Sequence, residues 1–206
     1  MLSVLSIFTS SYSVISSLVR AYGYLAVFGL MLLEGSSLPV PSEVVMPLAG
    51  LFAHQGVLNF YAALLAGLLG SIGGLAVDYY LGYFLGKDVV YKHLKMFHIR
   101  KESLDSFDRW FARNGTVAVF VSRLVPVIRT FMSFPAGFAR MNQRRFFAYS
   151  IAGTFIWDAV LMAFGFYALS SRSAVTVLVA IAAFAIVLYL IYYFAIKRMK
   201  KRTRSG

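Results

Sequence analysis

The stretch Ser122-Arg123-Leu124-Val125-Pro126-Val127-Ile128-Arg129 decides how this chain is read. Two guanidinium groups six residues apart flank a proline in an otherwise apolar run. An arginine at the bilayer centre costs about 2.5–3.5 kcal/mol even on the mildest scale. Proline removes a backbone donor and restrains the residue before it. Broken backbone at membrane depth survives only when it is buried in protein or lines a wet cavity. A second stretch has the same character: Glu34-Gly35-Ser36-Ser37-Leu38-Pro39-Val40-Pro41-Ser42-Glu43, running on to Pro47 and Gly50. The first runs on to Pro135 and Gly137. Both read as re-entrant hairpins, at about 35–57 and 114–139, with Pro39, Pro41, Pro126 and Pro135 as the helix breakers.

Composition supplies the setting for these segments. Of 206 residues, 60% are hydrophobic and only 14% charged. A soluble domain runs nearer 25% charged and could not hide so much apolar surface. The expected class is an all-α polytopic membrane protein. Nineteen Phe, 13 Tyr and 2 Trp supply residues for interfacial belts. There is no cysteine, which removes disulfides, thiolate metal sites and cysteine nucleophiles. The net charge of +12 lies between and after apolar segments, not on one basic face, so no nucleic-acid partner is expected.

About four spanning helices are expected, at roughly 14–34, 58–86, 146–170 and 174–196, with the two hairpins not crossing. The N-terminus, 87–113, 140–145 and the tail then share the cytoplasmic side and hold 17 of the 20 cations. The positive-inside rule is met, and a multi-pass cell-membrane protein with both termini cytoplasmic follows. The divisions are an interfacial segment at 1–20, a membrane domain at 21–170, a C-terminal transmembrane helix at 171–196 and a basic tail at 197–206. In 87–113, Phe107, Trp110 and Phe111 fall on one helical face, a stripe that suits core packing. Pro39 and Gly50 recur 87 residues later as Pro126 and Gly137, and Gly70 and Gly82 recur 83 residues later as Gly153 and Gly165. Together with the charge parity, this spacing predicts an inverted repeat, a design found in transporters.

Arg123 and Arg129 carry the candidate chemistry. A guanidinium stays charged and presents a planar fork that suits phosphate. The anionic partners on offer are Glu34, Glu43, Asp78, Asp158 and a lipid phosphate. One reading is a structural set of ion pairs. The other has the arginines receive a substrate phosphate, while Glu34 or Glu43 gates them or exchanges a proton, with Asp78 and Asp158 as secondary candidates. The repeat would bring the glutamates and arginines towards a common cavity. His54, His93 and His98 lack ligand spacing, so neither a metal nor another cofactor is expected.

The run Phe120-Val121-Ser122-Arg123-Leu124-Val125-Pro126-Val127-Ile128-Arg129-Thr130, with Pro135-Ala136-Gly137 and Met141, resembles the signature of the DedA family, also called the VTT or SNARE-associated domain family. Glu34 with Pro39-Val40-Pro41-Ser42-Glu43 resembles that family's first hairpin, and Gly153 and Trp157 its following helix. The likeness covers about residues 20–170; many members carry glycine where this chain has Ser42. The resemblance implies two re-entrant hairpins and the movement of phospholipids or polyprenyl phosphates, such as undecaprenyl phosphate, between leaflets. It also implies a link to the proton motive force, and functional roles for Glu34, Glu43, Arg123 and Arg129.

The expected function is that of a flippase or scramblase for a phosphate-bearing lipid, not an enzyme, with protons as candidate coupling ions and homo-oligomerisation left open. A proton-coupled cation antiporter is the alternative, and the intramembrane arginines argue against it. A membrane lipid-phosphate enzyme is another, without an evident nucleophile. A scaffold would tolerate loss of the buried charges as long as pairing was kept. The topology has a direct check, made clean by the absence of native cysteine. Gln55→Cys and Arg172→Cys should label from outside, and Lys95→Cys should not; outside labelling at position 95 would remove the hairpins.

Overall fold

The structure, a computed structural model, describes residues 2–92, 111, 114–125, 129 and 132–167. Among these residues the chain is all helical. The helices are α1 (Leu2–Tyr22), α2 (Tyr24–Gly35), α3 (Ser42–His54), α4 (Phe60–Lys92), α5 (114–122), α6 (Ser133–Phe138) and α7 (Gln143–Tyr167). Two of them are long and apolar enough to cross a membrane, through Phe60–Leu85 and Gln143–Tyr167. At 1.5 Å per residue both exceed the ~30 Å of hydrocarbon. The expected crossing at 174–196, the basic tail and most of the aromatic stripe at 87–113 lie outside the described residues.

The crossing expected at 14–34 is divided. Gly23 takes φ +55°, which side chains disfavour, and the helix restarts at Tyr24. The twelve residues of α2 reach only ~18 Å. The chain then turns through 36–41 and re-enters helix at Ser42. The broken segment is therefore a short helix, a turn and a second short helix over 24–54, starting earlier than the predicted 35–57.

Of the expected breakers, Pro39 and Pro41 lie at the break between α2 and α3, and Pro135 plays a different part. Pro39 lies in the turn, and Pro41 is the N-cap of α3. Pro47 sits inside α3, which runs through it without ending. Pro135 is the third residue of α6, in the first turn, where the N–H has no intrahelical partner to lose. It helps start a helix. Pro126 lies outside the described residues.

The helices fall into two compact units. The first contains α1 to α3, α4 as far as Gly74 and α7 from Phe155. Its core is built from Val19 of α1, Val27 and Met31 of α2, Val45, Met46, Leu48 and Phe52 of α3, and Trp157 and Met162 of α7. Helices α1, α2 and α3 pack on one another. The second unit contains α4 from Leu75, helices α5 and α6, and α7 as far as Thr154. There Leu75, Tyr79, Phe111, Val119, Ala136 and Phe146 form one cluster, with the Tyr79 and Phe146 rings stacked at 4.4 Å between centroids.

Each unit contains a glycine contact in which two backbones touch. In the first, a Cβ on Gly50 would overlap the Met162 carbonyl and lie 2.9 Å from the Phe166 nitrogen, and one on Gly165 would overlap the Pro47 carbonyl. In the second, a Cβ on Gly137 would overlap the Tyr79 carbonyl and lie 2.9 Å from the Tyr83 nitrogen, and one on Gly82 would overlap the Phe134 carbonyl. Every partner obeys the offsets read from the sequence. Gly50 and Pro47 match Gly137 and Phe134 at 87, while Tyr79, Gly82 and Tyr83 match Met162, Gly165 and Phe166 at 83. One packing solution is thus built twice.

Because the obstacle is main chain on both sides, it cannot yield by a rotamer change. Gly137→Ala and Gly50→Ala should each destabilise by about 1–3 kcal/mol. Gly29 in α2 has nothing within 4 Å of the added carbon, so Gly29→Ala should be neutral or stabilise by up to about 1 kcal/mol. Thermal unfolding of the three purified variants in one detergent decides the point.

Candidate functional site

The site grows from the way α5 ends. Its last turns tighten, with the N–H groups of Arg123, Leu124 and Val125 reaching back three residues to the carbonyls of Phe120, Val121 and Ser122 at 3.0–3.2 Å. Such a tightened turn is a common end for an α-helix. Ser122 contributes by donating its hydroxyl to the Val119 carbonyl at 2.8 Å. The Arg129 N–H returns to the Val125 carbonyl at 3.1 Å, and α6 begins at Ser133.

Arg123 stands at this break and is only 4% exposed. Its guanidinium bridges several groups. Nη1 donates to the Arg129 main-chain carbonyl. Nη2 donates to the Ser133 hydroxyl at 2.8 Å. The cation lies over the Phe146 ring at 5.7 Å from the centroid. The planar fork spans carbonyl and hydroxyl together, which a lysine ammonium cannot do with the same geometry. Helix α7 makes room for the stem: a Cβ on Gly153 would lie 2.6 Å from that of Arg123. The hydroxyl of Tyr79 closes the far end of α6 by donating to the Met141 carbonyl.

Arg129 is equally buried, at 4%. Its backbone carbonyl carries the contact from Arg123. The two arginines therefore differ in structural role, although the sequence presents them as a matched pair.

The acidic candidates separate by burial. Glu34 is buried on the last turn of α2, and Asp158 is fully buried on α7; both belong to the first unit. Glu43 also belongs to the first unit but is exposed. It lies in the first turn of α3, where the helix dipole favours a carboxylate. Asp78 of α4 is buried in the second unit with both arginines. No group of three metal-ligating side chains occurs among the described residues.

Ser133, Phe146 and Gly153 escaped the sequence reading as parts of the arginine site. Gly153 had a signal, since it belongs to the 83-residue repeat. Ser133 and Phe146 had none, because a lone serine or phenylalanine in an apolar chain marks nothing until the fold brings it to a guanidinium.

The comparisons agree with the family resemblance. The family model described as the VTT domain matches residues 40–167. Undecaprenyl phosphate transporter A of Staphylococcus aureus is 30% identical over 200 residues, covering 93% of this chain and 98% of that one. An alkaline phosphatase-like protein of Lactococcus lactis is 29% identical, covering 74% of this chain and 73% of its own. Protein DedA of Escherichia coli is 28% identical over 162 residues, covering 74% of this chain and 73% of its own. No solved structure matches. With the VTT model covering most of the described membrane helices and the arginine break, the chain belongs to the DedA family of VTT-domain membrane proteins.

Proposed function

We propose that this chain is a lipid transporter that moves a phosphate-bearing lipid, such as a polyprenyl phosphate, between membrane leaflets. The observation that carries the reading is the arrangement at the α5–α6 break: one buried guanidinium holds the carbonyl of a second arginine that is just as buried. A helix does not need two arginines to end. A phosphate that must leave water needs a fixed, permanently charged fork. The name of the Staphylococcus aureus relative, at 30% identity, supports the same substrate class.

In this reading Arg129 meets the phosphate and Arg123 is the pin that sets its place. The helix–turn–helix at 24–54 and the α5–α6 segment are the two re-entrant hairpins of an inverted repeat, and both termini are cytoplasmic. The doubled glycine contact supports the repeat. Glu34, buried at the end of α2, supplies a carboxyl that exchanges a proton during the cycle. Glu43, exposed in a helix first turn, serves at most as a gate.

Proteoliposomes holding a labelled polyprenyl phosphate test the division of labour. Arg129→Lys should fold normally and transport at least about tenfold more slowly, the loss of one charge-assisted pair of about 1.5–3 kcal/mol. Ser133→Ala should lose about 1–2 kcal/mol of stability, because one Arg123 donor loses its acceptor, and transport should fall with it. Wild-type rates in Arg129→Lys would reduce the arginines to a structural brace.

The proton is tested separately. Glu34→Gln keeps the shape of the side chain and freezes its charge. The variant should remain folded, and its transport should no longer respond to a pH gradient. A folded variant with an unchanged response takes Glu34 out of the proton path. An aggregated one indicates a structural ion pair, since breaking a buried pair costs about 3–5 kcal/mol.

A further inference from the structure

A buried hydroxyl in an apolar fold normally finds an acceptor, because an unmade hydrogen bond costs more than a made one returns. Ser150 of α7 departs from this. Its side chain is fully buried, and its Oγ has no hydrogen-bond partner among the described residues. A serine on a helix can return its hydroxyl to a carbonyl one turn back, and Ser36 and Ser122 do so. Ser150 does not. Of the described serines in this condition, it is the one in the unit that holds both arginines.

Two observations bring this hydroxyl to the arginine break. The first is the path of the Arg123 side chain along α7. At one end a Cβ on Gly153 would lie 2.6 Å from the Arg123 Cβ, and at the other the cation lies over the Phe146 ring at 5.7 Å from its centroid. Ser150 stands between these ends, four residues after Phe146 and three before Gly153, spacings that share one helical face. Its Cα–Cβ bond leans towards the N-terminus of the helix, and so towards Phe146 and the guanidinium on that ring.

The second observation is the repeat. In the first unit α3 meets α4 at Met46 and Gly67, where a Cβ on the glycine would lie 2.8 Å from the Met46 Sδ. The offsets of 87 and 83 carry that pair onto Ser133 and Ser150. Ser133 is the residue that accepts from Arg123 Nη2 at 2.8 Å. Where the first unit packs a thioether against a glycine, the second sets two hydroxyls beside a guanidinium. Apolar packing requires neither hydroxyl. An unmatched donor becomes favourable when another state of the molecule supplies its acceptor. Beside a permanently charged fork, the acceptor that suits both donors is the oxygen of an anion.

We propose that Ser150 is a phosphate-binding residue of the arginine break, its hydroxyl donating to a phosphate oxygen of the transported lipid beside the Arg123 guanidinium. This rests on the reading of the break as a lipid-phosphate site, and it adds a neutral donor from α7 to the charged donors of the α5–α6 segment. The hydroxyl is shut away in the present arrangement. The phosphate reaches it in a state in which α7 has moved off the break, of the kind that alternating access supplies.

The test compares the wild type with Ser150→Ala in two measurements: thermal unfolding in one detergent, and exchange of a labelled polyprenyl phosphate in proteoliposomes over a range of lipid fractions. The Tm of Ser150→Ala should equal or exceed that of the wild type, since the change removes a hydroxyl without an acceptor. Its half-saturating lipid fraction should rise by about tenfold, as for the loss of one hydrogen bond to a charged group. Ser150→Cys supplies the same comparison if the alanine variant is not recovered, because a thiol occupies the site and donates only weakly. A lower Tm in Ser150→Ala overturns the proposal by showing that the hydroxyl has a structural partner. Saturation at the wild-type lipid fraction overturns it as well. The polyprenyl alcohol serves as the control: a wild type that prefers the phosphate, with an unchanged variant, removes Ser150 alone, whereas a wild type that exchanges both lipids equally removes the phosphate site and Ser150 with it.

Discussion

The bond from the Arg123 guanidinium to the Arg129 carbonyl is the constraint around which the second unit is arranged. A helix that stops inside a membrane leaves carbonyls that water cannot reach, and each unsatisfied group costs several kcal/mol there. In the proposed hairpin the chain meets that cost with a side chain of its own. The guanidinium covers a carbonyl, takes the Ser133 hydroxyl and rests on the Phe146 ring. Gly153 keeps α7 close enough for the arginine stem to pack against it. The break is thereby fixed, and with it the main chain of Arg129. In the proposed cycle a flexible arginine would lose conformational entropy each time it met a phosphate; a pre-placed one loses less.

The glycine contacts show how such a broken segment is kept in register. Gly50 and Gly137 bring short helices into backbone contact with longer ones, and Gly165 and Gly82 return the contact from the other side. In an apolar solvent, burying apolar side chains supplies little drive for helix association, and close backbone approach takes its place. The recurrence of the contact at the same two offsets argues that both units solve one problem, that of anchoring a short helix between spans.

Much of this was legible in the residues. Arginine and proline in apolar company marked the α5–α6 break, and the glycine spacing marked the anchors. Three things were not legible. Gly23 ends a helix through a backbone angle that no periodicity announces, so the first broken segment starts earlier than the pattern suggests. Pro135 looks like a breaker by composition, yet it lies in the first turn of α6, where a proline costs no hydrogen bond. The different roles of Arg123 and Arg129 rest on which donor reaches which carbonyl, a matter of tertiary geometry that residue type does not encode.

The central claim is that the buried arginine break handles the phosphate of a lipid. The most direct measurement is leaflet exchange by the wild-type protein in liposomes, comparing a labelled polyprenyl phosphate with the same chain ending in a neutral alcohol, each against its protein-free background. The account predicts that protein accelerates exchange of the phosphate-bearing lipid and leaves the alcohol at its background rate. Equal acceleration of both would contradict it, because a site that ignores the phosphate has no use for a pinned guanidinium.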